Sequence, residues 1–337
     1  MQAQQLILVL VLLISLAGPS LVRGQQTVLT ITTTTSILTD AVKQVGGDFI
    51  AVRQLISTGI DPHDFVPTPS NIRTINTSDQ VFWIGQGAEE SLVQLLQYWQ
   101  DQGRATAILE QLNSSKLLEG HHAGEHGGTD PHFWMDPMLF ANAVQIIANQ
   151  LSSIDPTHAS QYQDNANQYI NKLIQLDSQI TTQLAEVDPA QRVIVTQHNS
   201  LQYFARAYNF TIQSLQGIST ETEAGVREVD LLATYLNQHN ITVVFTESTT
   251  PKQAMQAVVD AARAQRHTVG IGGELLIGSL GTSAATNTYI GMMQHDSQTI
   301  SSAILNPPQN EQSSLPVRVL LPILAMTGIT IIRRRRI

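Results

Sequence analysis

The 337-residue sequence predicts an α/β protein: two α/β lobes with parallel sheets, joined by one long helix. Three observations carry that expectation. Strand-like and helix-like patterns alternate from Thr27 to Tyr98, and they alternate again from Val193 to Ile304. Between the two runs lies a helical stripe too long for the interior of a single domain. Strands alternating with helices are the signature of parallel sheets, because each parallel strand needs a crossover.

In chain order, residues 27–33 are rich in β-branched side chains and read as a strand, and 37–45 place apolar residues at helical spacing. Residues 52–56 form a second strand, ending in the turn-rich Gly59-Ile60-Asp61-Pro62-His63. Residues 81–84 form a third, followed by Gly85, Gly87 and an amphipathic stretch at 92–98. The rhythm stops after Asp130. From Asp136-Pro137 the pattern is helical, breaks at Asp155-Pro156 and resumes to about Glu186. Ile170, Leu173, Ile174, Leu176, Ile180 and Leu184 give it an apolar stripe. Asp155 as N-cap with Pro156 at the first helical position predicts a connecting-helix segment at 156–188, its helix running from 156 to about 186 and roughly 45 Å long. This divides the chain into an N-terminal lobe at 25–155 and a C-terminal lobe at 189–305. In the second lobe, 193–196 is a strand leading to His198, 201–208 a helix, 242–245 a strand ending near Glu247, 251–264 a helix, 268–271 a strand and 288–304 a last helix.

The two ends read differently. Residues 1–24 form a targeting segment: an apolar run at 6–16, then Gly18, Pro19 and Ser20, with cleavage expected before Gln25. The alternative is an uncleaved N-terminal anchor. Residues 306–314 are a polar linker. Beyond it, 319–332 is apolar apart from Thr327 and Thr330, and Arg333-Arg334-Arg335-Arg336 follows. Counted from Leu315, a helix there reaches about 27 Å, against a bilayer core of about 30 Å. Apolar-then-basic is the pattern of a retained tail, so 315–337 is expected to be a membrane anchor. An idle basic tail is the alternative.

Composition excludes several classes. There is no cysteine, so disulfides, thiolate ligands and lipidation at a cysteine are all out, and any metal site must be built from His, Asp and Glu. Residues 1–24 and 315–337 hold six arginines and no acids; 18 less 6 leaves 12 basic residues against 27 acidic, a net charge of −15. Such a surface repels nucleic acid and draws cations.

Three histidines share turn-like surroundings: Asp61-Pro62-His63-Asp64, Asp130-Pro131-His132-Phe133-Trp134 and Thr196-Gln197-His198-Asn199. Any one alone reads more readily as a surface or hydrogen-bonding histidine than as a ligand. Asp-Pro-His occurring twice, with a third histidine at the end of a strand in the other half, points to a shared metal, since neutral imidazole is the commonest non-thiolate zinc ligand. A second cluster, His121-His122-Ala123-Gly124-Glu125-His126, is a candidate metal-collecting loop, or else a solvated loop with incidental histidines.

From about Thr27 to Ile304 the chain resembles the zinc- and manganese-binding substrate-binding proteins of bacterial ABC importers, the cluster A-I or cluster 9 family. The resemblance rests on Gly59-Ile60-Asp61-Pro62-His63-Asp64-Phe65-Val66-Pro67-Thr68-Pro69-Ser70, Asp130-Pro131-His132-Phe133-Trp134-Met135-Asp136-Pro137, Gly217-Ile218-Ser219-Thr220-Glu221, Gly272-Gly273-Glu274-Leu275 and Thr288-Tyr289-Ile290-Gly291-Met292-Met293. It implies two α/β lobes joined by one long rigid helix, metal between them, and His63, His132 and His198 as ligands. It also implies capture of a divalent ion outside the cytoplasm and delivery to an ABC transporter permease. A histidine at the third position points to Zn2+ over Mn2+, in line with ligand softness. One departure stands out: Gly278 occupies the position where the family usually carries an aspartate ligand. Water, Glu274 or Glu247 is then the fourth ligand.

The expected protein is therefore a monomeric, non-enzymatic metal binder on the outer face of the cell membrane, with no nucleic-acid partner. Two other classes share the same residues. Three histidines around a zinc with open water also begin a zinc hydrolase or hydratase, and a surface adhesin or scaffold would carry the metal incidentally.

Overall fold

The structure, a computed structural model, describes residues 28–122, 125–217 and 224–308. The expected targeting segment, the tail anchor and all but the first residues of the linker lie outside these. Among the described residues no helix is long and apolar enough to cross a membrane.

The N-terminal lobe is built in the order β1 (Leu29–Thr33), α1 (Ser36–Gly46), β2 (Ile50–Gln54), α2 (Pro69–Asn76), β3 (Gln80–Trp83), α3 (Val93–Asp101), β4 (Ala105–Ala107) and α4 (Ile108–Gln111). The four strands form one parallel sheet in the order β2-β1-β3-β4, with Leu29 opposite Ile50 and Ile31 opposite Gln80. All four residues of β3 are buried, as expected of a strand covered on both faces. Helix α1 starts at Thr35, whose hydroxyl accepts from the Leu38 amide, and α2 starts with a capping box between Thr68 and Asn71. A hairpin of β5 (Glu119–His122) and β6 (Glu125–Thr129) follows, where a loop was expected.

Helix α5 (Pro137–Ile154) begins as its sequence predicts, with the Asp136 carboxylate accepting from the amides of Met138 and Leu139. The long connector starts later than expected. Pro156–His158 is a single 3₁₀ turn, and α6 runs from Ala159 to Leu184. Asp155 does not cap it with its side chain, because that carboxylate binds His158 Nδ1 at 2.6 Å and the Tyr162 hydroxyl at 2.8 Å. At about 1.5 Å per residue, α6 is about 39 Å long.

The C-terminal lobe continues with β7 (Val193–Thr196), α7 (Gln202–Tyr208), β8 (Thr211–Ser214), α8 (Val226–Gln238), β9 (Val243–Glu247), α9 (Gln253–Ala264), β10 (Gly270–Leu275) and α10 (Tyr289–Leu305). β7 pairs parallel with β8 and β9 with β10, and β7 lies beside β9. Strand β10 runs four residues further than its pattern suggests. Its glycines look like a turn, but a methyl group at Gly272 would lie 2.6 Å from both Ala303 and Val243, so the strand needs glycine to press between α10 and β9. Packing continues into the expected linker, since Pro308 lies against Gly270.

One continuous apolar core runs through both lobes. It takes Ile31, Val42 and Phe82 from the first, Leu173, Leu176 and Ile180 from α6, and Phe245, Met292 and Ile300 from the second. At its centre Phe140 of α5 stacks on Tyr289 of α10, with ring centroids 3.8 Å apart. Asp40 ties the same three parts together. Its carboxylate accepts from the Tyr169 hydroxyl of α6 at 2.8 Å and from the Tyr289 amide of α10 at 3.0 Å. Each of those buried donors would cost about 1–3 kcal/mol if left unpaired. The lobes are thus fused through α6 and α10, not hung on a flexible linker.

Candidate metal centre

His63, His132 and His198 each follow an element of a different part of the fold, and the fused core brings them together. All three are buried, and each offers a ring nitrogen within 4.8 Å of the others. The ring centroids are 5.3 to 6.1 Å apart. His63 Nε2 and His132 Nε2 are separated by 3.3 Å. Two nitrogens bound tetrahedrally to zinc at roughly 2.0–2.1 Å stand about 3.3 Å apart, so this spacing is that of two corners around one ion.

The repeated Asp-Pro-His has a local explanation. The Asp61 carboxylate accepts from the His63 amide and that of Asp130 from the His132 amide, both at 3.0 Å. Each aspartate therefore folds its own chain into a tight turn with the histidine side chain thrown inward. Asp130 has a second role. Its carboxylate accepts from His132 Nδ1 at 2.8 Å, which leaves Nε2 as the nitrogen with a lone pair for a cation.

His198 is held in the same manner from the other lobe. Glu247, at the end of β9, binds His198 Nδ1 through one oxygen and accepts from the Gln197 and His198 amides through the other, at 3.0 Å each. Expected as a candidate ligand, Glu247 instead stands behind His198 with its oxygens engaged there. Glu274, the other candidate, pairs with Lys252 at 2.5 Å on the surface. Neither carboxylate joins the three nitrogens in the cluster.

Contacts across the lobes fix the two N-terminal histidine turns. Trp134 Nε1 donates to the Ile277 carbonyl at 2.9 Å, the Tyr289 hydroxyl to the Trp134 carbonyl at 2.6 Å, and the Tyr203 hydroxyl to the Asp130 carbonyl at 2.8 Å. The Gly59 amide, four residues before His63, donates to the Ser279 hydroxyl at 2.8 Å. These clamps were not legible in the sequence; Trp134 and Tyr289 stood inside quoted motifs, but nothing local indicated what they would touch. In the hairpin the register sets His121 opposite His126 and His122 opposite Glu125.

A family model described as "Zinc-uptake complex component A periplasmic" matches residues 31–303. The manganese-binding lipoprotein MntA of Bacillus subtilis is 34% identical over 277 residues, which cover 82% of this chain and 90% of that protein. The zinc-binding protein TroA of Treponema pallidum is 28% identical over 275 residues, covering 81% and 88%. The solved structure of that TroA superimposes with a TM-score of 0.78 over 82% of this chain and 99% of its own.

Three buried groups take up protons more readily in the fold than in solution. Burial opposes charge on His198, but the Glu247 carboxylate, helped by Asp61 and Asp130, outweighs it and raises the imidazole above 6.5. Burial raises Glu89 from 4.5 to about 7, against hydrogen bonds from Thr34, Ile84 and Gly85. Burial likewise raises Asp296 from 3.8 to about 8, against a hydrogen bond from the Leu276 amide and with nearby Glu247 adding to the rise. Groups with raised pKa values contribute stability that is complete below their ordinary pKa and is lost as pH climbs through the folded value. The metal-free protein should therefore unfold at lower urea concentration at pH 8 than at pH 6, and Asp296→Asn should flatten the dependence. Urea midpoints across this range test it; a midpoint that rises from pH 6 to pH 8 would contradict it.

Proposed function

The chain belongs to the zinc-uptake component family, the metal-binding components of ABC-type metal importers, and from this premise we propose that its cargo is zinc, held by His63, His132 and His198. The observation that carries the proposal is the 3.3 Å separation of two buried Nε2 atoms, with a third imidazole beside them and, among the described residues, no carboxylate in the cluster. Relatives of this chain are named for manganese and for zinc alike, so the choice rests on the donors themselves. Three imidazoles favour zinc on softness and in the Irving–Williams order, whereas manganese favours carboxylate and water oxygen. Neutral imidazole must lose its proton to bind, so affinity falls as pH drops through the histidine range.

Membership supports transport over the hydrolase and scaffold alternatives. The cargo is delivered to a permease, and the net charge of −15 on residues 25–314 concentrates cations near the protein. The register of the β5–β6 hairpin, which pairs His121 with His126, supports a collecting role for His121, His122 and His126. Retention at the membrane is assigned to residues 315–337. The relatives MntA of Bacillus subtilis and PsaA of Streptococcus mitis are named as lipoproteins, but this sequence has no cysteine to carry a lipid. The apolar tail ending in four arginines supplies a different tether.

Competition titration at neutral pH is the test of cargo. Zinc should bind at least about tenfold tighter than manganese, and His132→Ala should lose most zinc affinity. Equal or tighter manganese binding would contradict the assignment. Fractionation tests retention. The full chain should sediment with membranes, and truncation after Pro308 should release a folded, metal-binding protein, because no described strand or helix lies beyond Leu305. A full-length chain found in the soluble fraction would refute the tail's role.

A further inference from the structure

The fourth position of the site is where this chain leaves its own mark. Strand β9 ends at Glu247, the residue behind His198, and the next three residues are Ser248, Thr249 and Thr250. Their three hydroxyl oxygens are all buried, and none makes a hydrogen bond with a described group. Buried hydroxyls in a row without protein partners are costly, and they are found where a bound water or ion completes them.

The position of Thr249 is fixed by its neighbour from the opposite loop. A methyl group built on Gly278 would lie 3.1 Å from Thr249 Oγ1, 3.4 Å from Thr249 Cγ2 and 3.5 Å from Pro62 Cδ. Pro62 immediately precedes His63. On either side of Gly278, the Ile277 carbonyl accepts from Trp134, two residues beyond His132, and the Ser279 hydroxyl accepts from Gly59. The loop carrying Gly278 is therefore pinned between the two turns that deliver His63 and His132. The backbone at 278 is outside the left-handed region and would accept any residue. Space, not backbone conformation, is what bears on this position: a side chain at 278 would press on the Thr249 hydroxyl.

We propose that Thr249 completes the fourth position of the metal site, its hydroxyl holding a water on the bound ion beside Gly278. This rests on the zinc-binding reading above. The ion then meets three imidazoles and one neutral oxygen, the donor set that keeps zinc ahead of manganese. Thr249 acts through the water and is a positioning residue, so its effect should be the size seen for outer-shell groups at metal sites, about 10–100-fold in affinity.

The experiment is zinc and cobalt titration of the whole protein with Thr249→Val, Thr249→Ser and Gly278→Ala, the metal-free melting temperature being followed in each. Thr249→Val, which keeps the shape and removes the hydroxyl, should weaken zinc about 10-fold and change the visible absorption of the cobalt-loaded protein, which reports the number and kind of ligands. Thr249→Ser should recover most of that loss. Gly278→Ala approaches the same spot from the other loop and should weaken zinc while Thr249 is intact, so it serves if Thr249→Val does not fold. In the double variant the two losses should not add, because they remove one feature. Zinc affinity and cobalt spectrum unchanged by both Thr249→Val and Gly278→Ala would overturn the proposal while leaving the three-histidine site standing. Failure of the unaltered protein to bind zinc would instead overturn the reading beneath it.

Discussion

Three buried imidazoles with ring nitrogens within 4.8 Å of one another need a cation or a shared proton between their lone pairs, and the rest of the structure is arranged to hold them there. In water each ring would be hydrated and free to turn. Here none is more than 5% exposed, and each is fixed by a turn, a carboxylate or a contact from the other lobe. The folding energy that keeps them close comes from elsewhere: chiefly the apolar core that passes from the first sheet through α6 to α10. The cross-lobe hydrogen bonds of Trp134, Tyr203, Tyr289 and Ser279 then set the last ångström. At about 0.5–1.5 kcal/mol net each, they matter less for stability than for geometry.

The acids serve the site at one remove. Asp130 and Glu247 sit behind His132 and His198, orienting each ring and making its outward nitrogen a better donor. On the proposed reading, a divalent ion meets neutral donors directly and finds its balancing charge in the next layer. That arrangement favours the softer ion, because a carboxylate in direct contact would favour a hard one. Asp296 of α10 accepts from the Leu276 amide and so anchors the start of the loop that carries Gly278.

Much of this was legible in the sequence for reasons that can be named. Alternation of β-branched runs with amphipathic stretches gave the α/β class, and Asp136-Pro137 gave the start of α5, because both are local signals. The three histidines were found because the same turn occurs twice, and because a histidine closing a strand of a parallel sheet falls at the ligand-binding edge. What was not legible depended on distant partners. Asp155-Pro156 resembled a helix cap, but His158 and Tyr162 took its carboxylate. β4, β8 and α8 are not among the expected elements; β4 and β8 carry weak local patterns, being strands of only 3 and 4 residues whose pairing is non-local. Chain position makes Glu247 a candidate ligand, and only side-chain geometry distinguishes contact with the ion from contact with the His198 ring. Glu274 followed a glycine-rich motif, yet its carboxylate faces Lys252 at the surface.

The central claim is that one ion sits on three imidazoles with a neutral oxygen completing its shell. X-ray absorption spectroscopy of the zinc-loaded protein measures that shell directly. The account predicts three imidazole scatterers at roughly 2.0–2.1 Å and a single further oxygen. A fit requiring only one or two imidazoles, or a carboxylate in direct contact with the metal, would contradict it.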